Sequence, residues 1–330
     1  MCKEKGGVRM RVVITGSTGY LGSRTVGRLA SSGGVDIFGI DRNPPKRVHE
    51  YAVFRTGSVT DPDAMERIFD AAQPDVAVHL AFVVNPLHDR KREEYIDREG
   101  MRLFLHECDR HSVRRVVVLS SVAAYGAFPD NDVPLTEGSR IRGVYGYAYS
   151  WMKAETDLMA QDYERSHPDC EVIILRPALF VGPGTRNAFF DVLKYPIVPQ
   201  VREGGKTMDP PMQCIHEDDM AACLVEAIVK PGIRGMYNVA GDGTVRFSAL
   251  VGEFGKRCIP LPLWLIRAAA RLMWFMHIGR VPAGQVDFIR HTWIMDTTKM
   301  KRELSTPTID SLEAFRQFAS SRKGNRLHIN

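Results

Sequence analysis

Over the first 180 positions, short apolar runs alternate with longer helical patterns. RVVITG (11–16), DIFGID (36–41), DVAVHLA (75–81), RRVVVLSS (114–121) and EVIILRPALFVG (171–182) are apolar over most of their length. They read as strands buried on both faces. Between them, YLGSRTVGRLASSG (20–33), DPDAMERIFDAA (61–72), EEYIDREGMRLFLHECDRH (93–111) and AYSWMKAETDLMAQDYERSH (148–167) carry the spacing of one-sided helices. The second of these has an acidic start and Pro62 early, where a missing N–H is no loss. Such alternation predicts an α/β fold built on a parallel sheet with helices on both faces. The pattern breaks after 183. Pro and Gly are dense over 183–211, then DDMAACLVEAIV (218–229) predicts a helix and GMYNVAG (235–241) a strand.

One later stretch, IPLPLWLIRAAARLMWFMHIG (259–279), is strongly apolar but carries Arg267, Arg271 and His277. Its uninterrupted apolar run is too short to span a bilayer. The arginines fall four apart, on one face, so the stretch predicts an amphipathic helix serving as core or pocket lid. Peripheral contact with a membrane surface is the alternative. Composition is that of an ordinary globular chain of 330 residues, 44% hydrophobic and 25% charged. The net charge of +5 comes from scattered basic residues with short clusters such as RHSVRR (110–115), which argues against a nucleic-acid partner. Six cysteines lie far apart with no C-x-x-C pair, so neither a metal site nor a disulfide framework is expected. MCKEKGGVRM lacks the apolar core of a signal segment, and a second start at Met10 would remove a charged leader. Reduced thiols and that N-terminus fit a cytoplasmic protein.

Two motifs carry chemistry. TGSTGYLG (15–22) follows the first strand and opens the first helix, with Gly16, Gly19 and Gly22 spaced G-x-x-G-x-x-G. Such a turn lets a pyrophosphate approach the backbone at a helix N-terminus. Asp41 closes the second strand about 25 residues on, where a carboxylate accepts from the adenosine ribose and repels a 2′-phosphate. That favours NAD; Arg42 beside it leaves NADP as the alternative. The second motif is YGYAYSWMK (145–153). Of its three tyrosines only Tyr149 has a lysine four residues on, Lys153, and residues four apart share a helix face. A nearby ammonium favours the phenolate and makes the phenol a better proton-transfer group.

With these residues the chain resembles the extended short-chain dehydrogenases/reductases, the family of NAD-dependent sugar epimerases and dehydratases. The resemblance runs from about residue 10 to 305. It rests on TGSTGYLG, GID (39–41), HLA (79–81), VVVLSSVAAYG (116–126), Tyr149 with Lys153, LRPALFVGPG (175–184), IHEDDMA (215–221), YNVAG (237–241) and DTTKMKREL (296–304). It implies a Rossmann-type doubly wound parallel sheet with a smaller C-terminal α/β substrate domain. Residues 10–184, rejoined by 214–242, would form the dinucleotide-binding domain, and 185–213 with 243–330 the substrate domain. Ser121 would hold a substrate oxygen, Tyr149 would move its proton, and Lys153 would bind the nicotinamide ribose. Thr18, Tyr20, Leu21, Ser58, Leu80, Ala81 and Pro177 would join the glycines, Asp41 and Arg42 around the cofactor. Val83, Val122, Ala123 and Asn187 would meet the substrate. A homodimer through the helices at 93–111 and 148–167 is implied in the same way.

Several positions differ from the family pattern. Dehydratases and decarboxylases carry acidic residues just after the catalytic hydroxyl; here Val122 and Ala123 cannot ionise, which disfavours those reactions. Two phosphate-contacting arginines of many UDP-sugar epimerases fall on Met212 and Val286, with Arg186, Lys194, Arg246, Arg280 or Arg290 as nearby substitutes. Gly57 is followed by Ser58 rather than Asp, and an Asn of the long helix is Asp97, which accepts but does not donate when ionised and could pair with Lys153. Three readings result. The first is an NAD(P)-dependent oxidoreductase acting on a secondary alcohol or ketone, its substrate facing Trp264, Trp274 and Phe275. The second is a sugar epimerase with resident NAD, and the third a dinucleotide sensor without catalysis.

Overall fold

The structure, a computed structural model, describes residues 9–185, 187–278 and 280–324. The leader with Cys2, and Arg186, lie outside the described residues. The first strands are β1 (Met10–Thr15), β2 (Val35–Asp41), β3 (Val53–Thr56), β4 (Val76–His79), β5 (Arg115–Leu119) and β6 (Glu171–Pro177). They alternate with helices α1 (Tyr20–Ser32), α2 (Pro62–Ala72), α3 (Arg90–Arg110) and α4 (Ala148–Ser166). Next come β7 (Leu179–Val181), β8 (Ile197–Glu203), β9 (Lys206–Thr207), β10 (Pro211–Met212), β11 (Cys214–His216), α5 (Glu217–Val229) and β12 (Gly235–Val239). The chain closes with β13 (Val245–Arg246), α6 (Phe247–Glu253), β14 (Arg257–Pro262), α7 (Leu263–Phe275), α8 (Thr298–Glu303) and α9 (Ser311–Gly324).

Seven strands form one parallel sheet in the order β12-β6-β5-β4-β1-β2-β3. The order reverses between β1 and β4, so their C-terminal ends open a crevice, the place where such sheets bind ligands. The period of two sorts the core. Val12 and Ile14 of β1 pack with α1 and α5 residues such as Val26 and Leu224, whereas Val13 packs with Met65 of α2 and Phe104 of α3. Each such fully buried aliphatic side chain is worth ~1.5–3 kcal/mol. Asp61 caps α2 by accepting from the Asp63 and Ala64 amides, with Pro62 at its first position.

The strand expected over 171–182 is two strands, β6 and β7, and β7 leaves the main sheet to pair with β11. The helix expected from 93 starts at Arg90, because the Asp89 side chain caps it through the Arg92 amide. β3 was not foreseen; it is a short, partly exposed edge strand. β14, β8 and β9 make a separate small sheet. The helix predicted within 259–279 forms as α7, but not as core: of its residues only Ile266 is buried.

A charged network lies inside the protein behind β5 and β6. Arg176, 1% exposed, forks onto Asp157, whose side chain is fully buried, at 2.8 and 2.7 Å. The same guanidinium donates to the Tyr125 hydroxyl and the Glu137 carbonyl, each at 2.9 Å. Asp157 also accepts from Ser120 at 2.5 Å and Gln161 at 2.7 Å.

Candidate active site

Gly16 ends β1 in the left-handed region, at φ 68°, a conformation that favours glycine. A side chain there would also meet the backbone of Ala81 at 2.7 Å, so the first and fourth strand ends can approach only with glycine at 16. A Cβ on Gly22 would lie 2.2 Å from the Gly16 carbonyl. Gly19 caps α1 with no side chain over the helix N-terminus. The result is a bare backbone cradle, which fits a pyrophosphate.

The cradle forms one wall of a cavity of about 1670 Å³. The loop positions Gly16, Thr18, Gly19, Tyr20, Leu21 and Gly22 all line it, as do Asp41, Arg42 and Ser58. Leu80, Ala81 and Val83 line it after β4, and Asn187 lines its far side. Asp41 accepts the Thr18 amide at 3.1 Å and the Asn43 amide at 3.3 Å, fixing the carboxylate at the end of β2. Ser121, Tyr149, Lys153, Pro177, Val122 and Ala123 do not line this cavity, and Pro177, Val122 and Ala123 are buried.

Ser121 follows β5, and its hydroxyl accepts the Ala123 amide at 3.1 Å. Tyr149 and Lys153 sit one turn apart on α4. Burial pushes the Tyr149 phenol up to about 12, against a hydrogen bond with Ser121 that pulls it down. The spacing had predicted a phenol acidified by the ammonium. Burial wins because Lys153 is itself only 3% exposed and turns its Nζ to the Leu119 carbonyl, at 2.6 Å. Burial also pulls the Lys153 ammonium down, opposed by Asp97 and Asp157. Asp97 and Lys153 do not form an ion pair within contact distance among the described residues. Asp97 instead accepts the Val83 amide at 2.9 Å, and burial pushes its carboxyl up. One turn earlier, Glu93 accepts the Leu87 amide, and burial lifts it to about 7. Two carboxyls on one face of α3 thus hold the segment after β4.

Of the other tyrosines in the motif, Tyr147 is buried against Phe288, and its ring lies 5.7 Å from that of Tyr149. Tyr145 is exposed and packs on Trp151 and Arg90. Trp264 and Phe275, expected to face substrate, stand 70% and 79% exposed. Trp274 is partly buried and packs on the exposed His88, with ring centroids 4.1 Å apart.

Sequence reasoning missed three features. Phe82 stands over Tyr149 and Lys153, its ring 3.5 Å from Lys153 Nζ and edge-on to Tyr149 at 5.5 Å. The segment after Asp41 brings Lys46 and Arg47 to the cavity beside Arg42. A clasp joins α1 to the far wall: the Tyr20 and Thr185 hydroxyls meet at 3.3 Å, Arg24 pairs with Glu217, and Glu217 accepts the Gly184 amide at 3.1 Å. The basic cluster RNPPKR (42–47) was the one signal available in the sequence.

The expected phosphate slots hold core residues: Met212 is fully buried and Val286 is 4% exposed. The substitutes are engaged elsewhere. Lys194 and Arg280 lie 2.7 and 3.7 Å from Asp191, Arg290 pairs with Glu203 at 2.6 Å, and Arg246 donates to the Asp209 carbonyl at 2.8 Å. None of these four lines the large cavity. Among the described residues there is no cluster of three metal-binding side chains, and no helix is long and apolar enough to cross a membrane.

Comparison with known proteins bears on this geometry. A model of the NAD dependent epimerase/dehydratase family matches residues 12–240. The chain is 26% identical over 320 residues to the uncharacterized protein Rv0501 of Mycobacterium tuberculosis, covering 94% of this chain and 84% of that one. It is 28% identical over 180 residues to a UDP-glucose 4-epimerase of Erwinia amylovora, about half of each chain (51% and 52%). Among solved structures, a UDP-glucose 4-epimerase of Thermotoga maritima, with UDP-glucose, superposes with a TM-score of 0.71 at 18% identity, covering 96% of this chain and 100% of that one. A dTDP-glucose 4,6-dehydratase of Bacillus anthracis, in complex with NAD, gives 0.71 at 16% identity, covering 96% and 98%. At such identities the solved structures establish the fold alone.

Proposed function

The chain belongs to the NAD dependent epimerase/dehydratase family, and on that premise we propose an oxidoreductase of the extended short-chain dehydrogenase/reductase class acting on the carbon of a secondary alcohol or ketone. The observation that carries this reading is Lys153, one helical turn from Tyr149, reaching the Leu119 carbonyl at the end of β5 just before Ser121, at the same sheet end as the glycine cradle. Bound nicotinamide dinucleotide would supply the hydride acceptor or donor. Gly16, Gly19 and Gly22 hold its pyrophosphate at the N-terminus of α1, and Asp41 takes its adenosine ribose, so NAD is the cofactor. Ser121 positions the substrate oxygen and Tyr149 moves the proton, since a carbinol gives up hydride readily only as its oxygen loses a proton. Lys153 holds the ribose side. The two domains divide at 10–184 with 214–242, against 185–213 with 243–330, and the protein works in the cytoplasm. Tyr95 on α3 and Leu158 on α4, 57% and 44% exposed, support a homodimer through those helices.

Dehydration is disfavoured, because Val122 and Ala123 offer no carboxylate. The likeness to an epimerase sequence favours sugar epimerisation as a second reading. The buried Met212 and Val286 count against a nucleotide-sugar diphosphate. The deciding experiment is the cofactor content of freshly purified protein, by absorbance and mass spectrometry after denaturation. Reversible binding to an initially empty protein supports the dehydrogenase or reductase. Retained NAD or NADH overturns it in favour of the epimerase, whose cycle never releases the cofactor. Tyr149→Phe is expected to keep the fold and cofactor binding while lowering turnover ~10²-fold or more; near-normal activity would refute the assignment of Tyr149.

A further inference from the structure

The outward face of α7 is apolar where a surface helix is ordinarily charged. Trp264, Leu272 and Phe275 are 70%, 57% and 79% exposed, and with the exposed Ala268 they fall at i, i+8, i+11 and i+4, one stripe along the helix. Leu265, Met276 and Ile278 extend it, at 40%, 48% and 62%. The opposite side faces the protein: Ile266 packs on Val201 and Val286, and the partly buried Trp274 packs on His88. Single exposed apolar residues need no explanation, but a contiguous ridge of this kind marks an interaction surface.

The charge around the ridge identifies the partner. Between Glu253 and Asp287 the chain holds no Asp or Glu, while Lys256, Arg257, Arg267, Arg271 and Arg280 are all basic. Arg267 is tied to Asp287 at 2.7 Å, and Arg280 lies 3.7 Å from Asp191. Arg257 and Arg271 are exposed and, among the described residues, have no ion pair. Arg271 stands on the apolar stripe itself, between Ala268 and Leu272. A second copy of this helix laid symmetrically on the first would bury both Arg271 side chains in the dry contact, with no carboxylate in the segment to receive either. An anionic surface meets both features at once.

We propose that α7 docks this protein on the face of an anionic lipid bilayer. Trp264, Leu272 and Phe275 enter the boundary between headgroups and acyl chains, and Arg271 and Arg257 meet the phosphates. The helix lies in the interface rather than across it, being 13 residues long. It sits beside the cavity mouth: His277, just past its end, lines a hollow with Arg42, Leu87 and Ile96, and those three also line the large cavity. Docking therefore presents the site to molecules held in the bilayer. This inference does not depend on which reaction the site performs.

The test is flotation of the whole protein with vesicles of phosphatidylcholine containing a minority of phosphatidylglycerol, against pure phosphatidylcholine. The wild type is expected to float with the anionic vesicles and far less with the neutral ones. Trp264→Ser with Phe275→Ser is expected to cut binding ~tenfold or more, through lost apolar burial. Arg271→Gln is expected to cut it roughly fivefold, on anionic vesicles only. Matching thermal melts would show that these surface variants are folded. Wild-type protein that stays off both vesicle types overturns the proposal, as does a double variant that floats normally. A wild type that does not float, together with a double variant that falls to a lower molar mass in light scattering, assigns the ridge to contact between copies instead.

Discussion

Replacing Arg176 with Met tests how the ends of β5 and β6 are held. The side chain is 1% exposed and makes four hydrogen bonds, two of them to the buried Asp157. Methionine fills much of the volume but leaves the carboxylate, among the described residues, with only Ser120 and Gln161 as partners. Removing one member of a buried pair costs ~3–5 kcal/mol, chiefly through the orphaned charge. For a chain of this length that corresponds to a fall of ~4–7 °C in melting temperature. Urea titration followed by circular dichroism measures the loss. If the orphaned charge is the cause, adding Asp157→Leu should make the double variant more stable than Arg176→Met alone, recovering at least half the loss. A single variant within ~1 kcal/mol of wild type, or a double variant no better than the single, would refute this reasoning.

Two further outcomes follow from the site. Burial holds the Glu93 carboxyl at about 7, above its ordinary 4.5, so the native state keeps a proton that the unfolded chain has released across that window. The contribution of Glu93 to stability then falls as pH rises from 4.5 to about 7 and levels off above. Glu93→Gln, which can still accept the Leu87 amide, should gain on the order of 2 kcal/mol over wild type near pH 8 and little near pH 4; equal differences at both pH values in urea titrations would contradict this. Asp41→Asn keeps an acceptor for the Thr18 amide but removes the charge that repels a 2′-phosphate. It should shift the ratio of NAD to NADP affinity ~tenfold toward NADP, ~1.4 kcal/mol, in fluorescence titrations. An unchanged ratio would assign the discrimination to Arg42, Lys46 and Arg47.

The parallel sheet was legible because its central strands are buried on both faces, and a continuous apolar run such as RVVITG has few other uses. The glycine cradle was legible because its chemistry is local: turn, helix N-terminus and acidic strand end lie within a short stretch. β3 escaped because four partly exposed edge residues carry no period. Phe82 over Lys153 escaped because that contact joins a segment after β4 to a helical residue 71 positions further on, and nothing in either stretch encodes the meeting. For α7, periodicity could define two faces but not orient them. Ile266, Met273 and Trp274 on one side are as apolar as Trp264, Leu272 and Phe275 on the other. Only tertiary packing chose which side met the protein.

The clasp between α1 and the far cavity wall also bears on time. Tyr20, Arg24, Gly184 and Thr185 all line the cavity, and the bonds that join its two sides, one of them through Glu217, would have to part for a dinucleotide to leave freely. Each opening is thus a toll on exchange but not on the proton and hydride steps inside. A substitution at Arg24 or Glu217 is expected to change how long a nucleotide stays while leaving the chemistry of Tyr149 untouched.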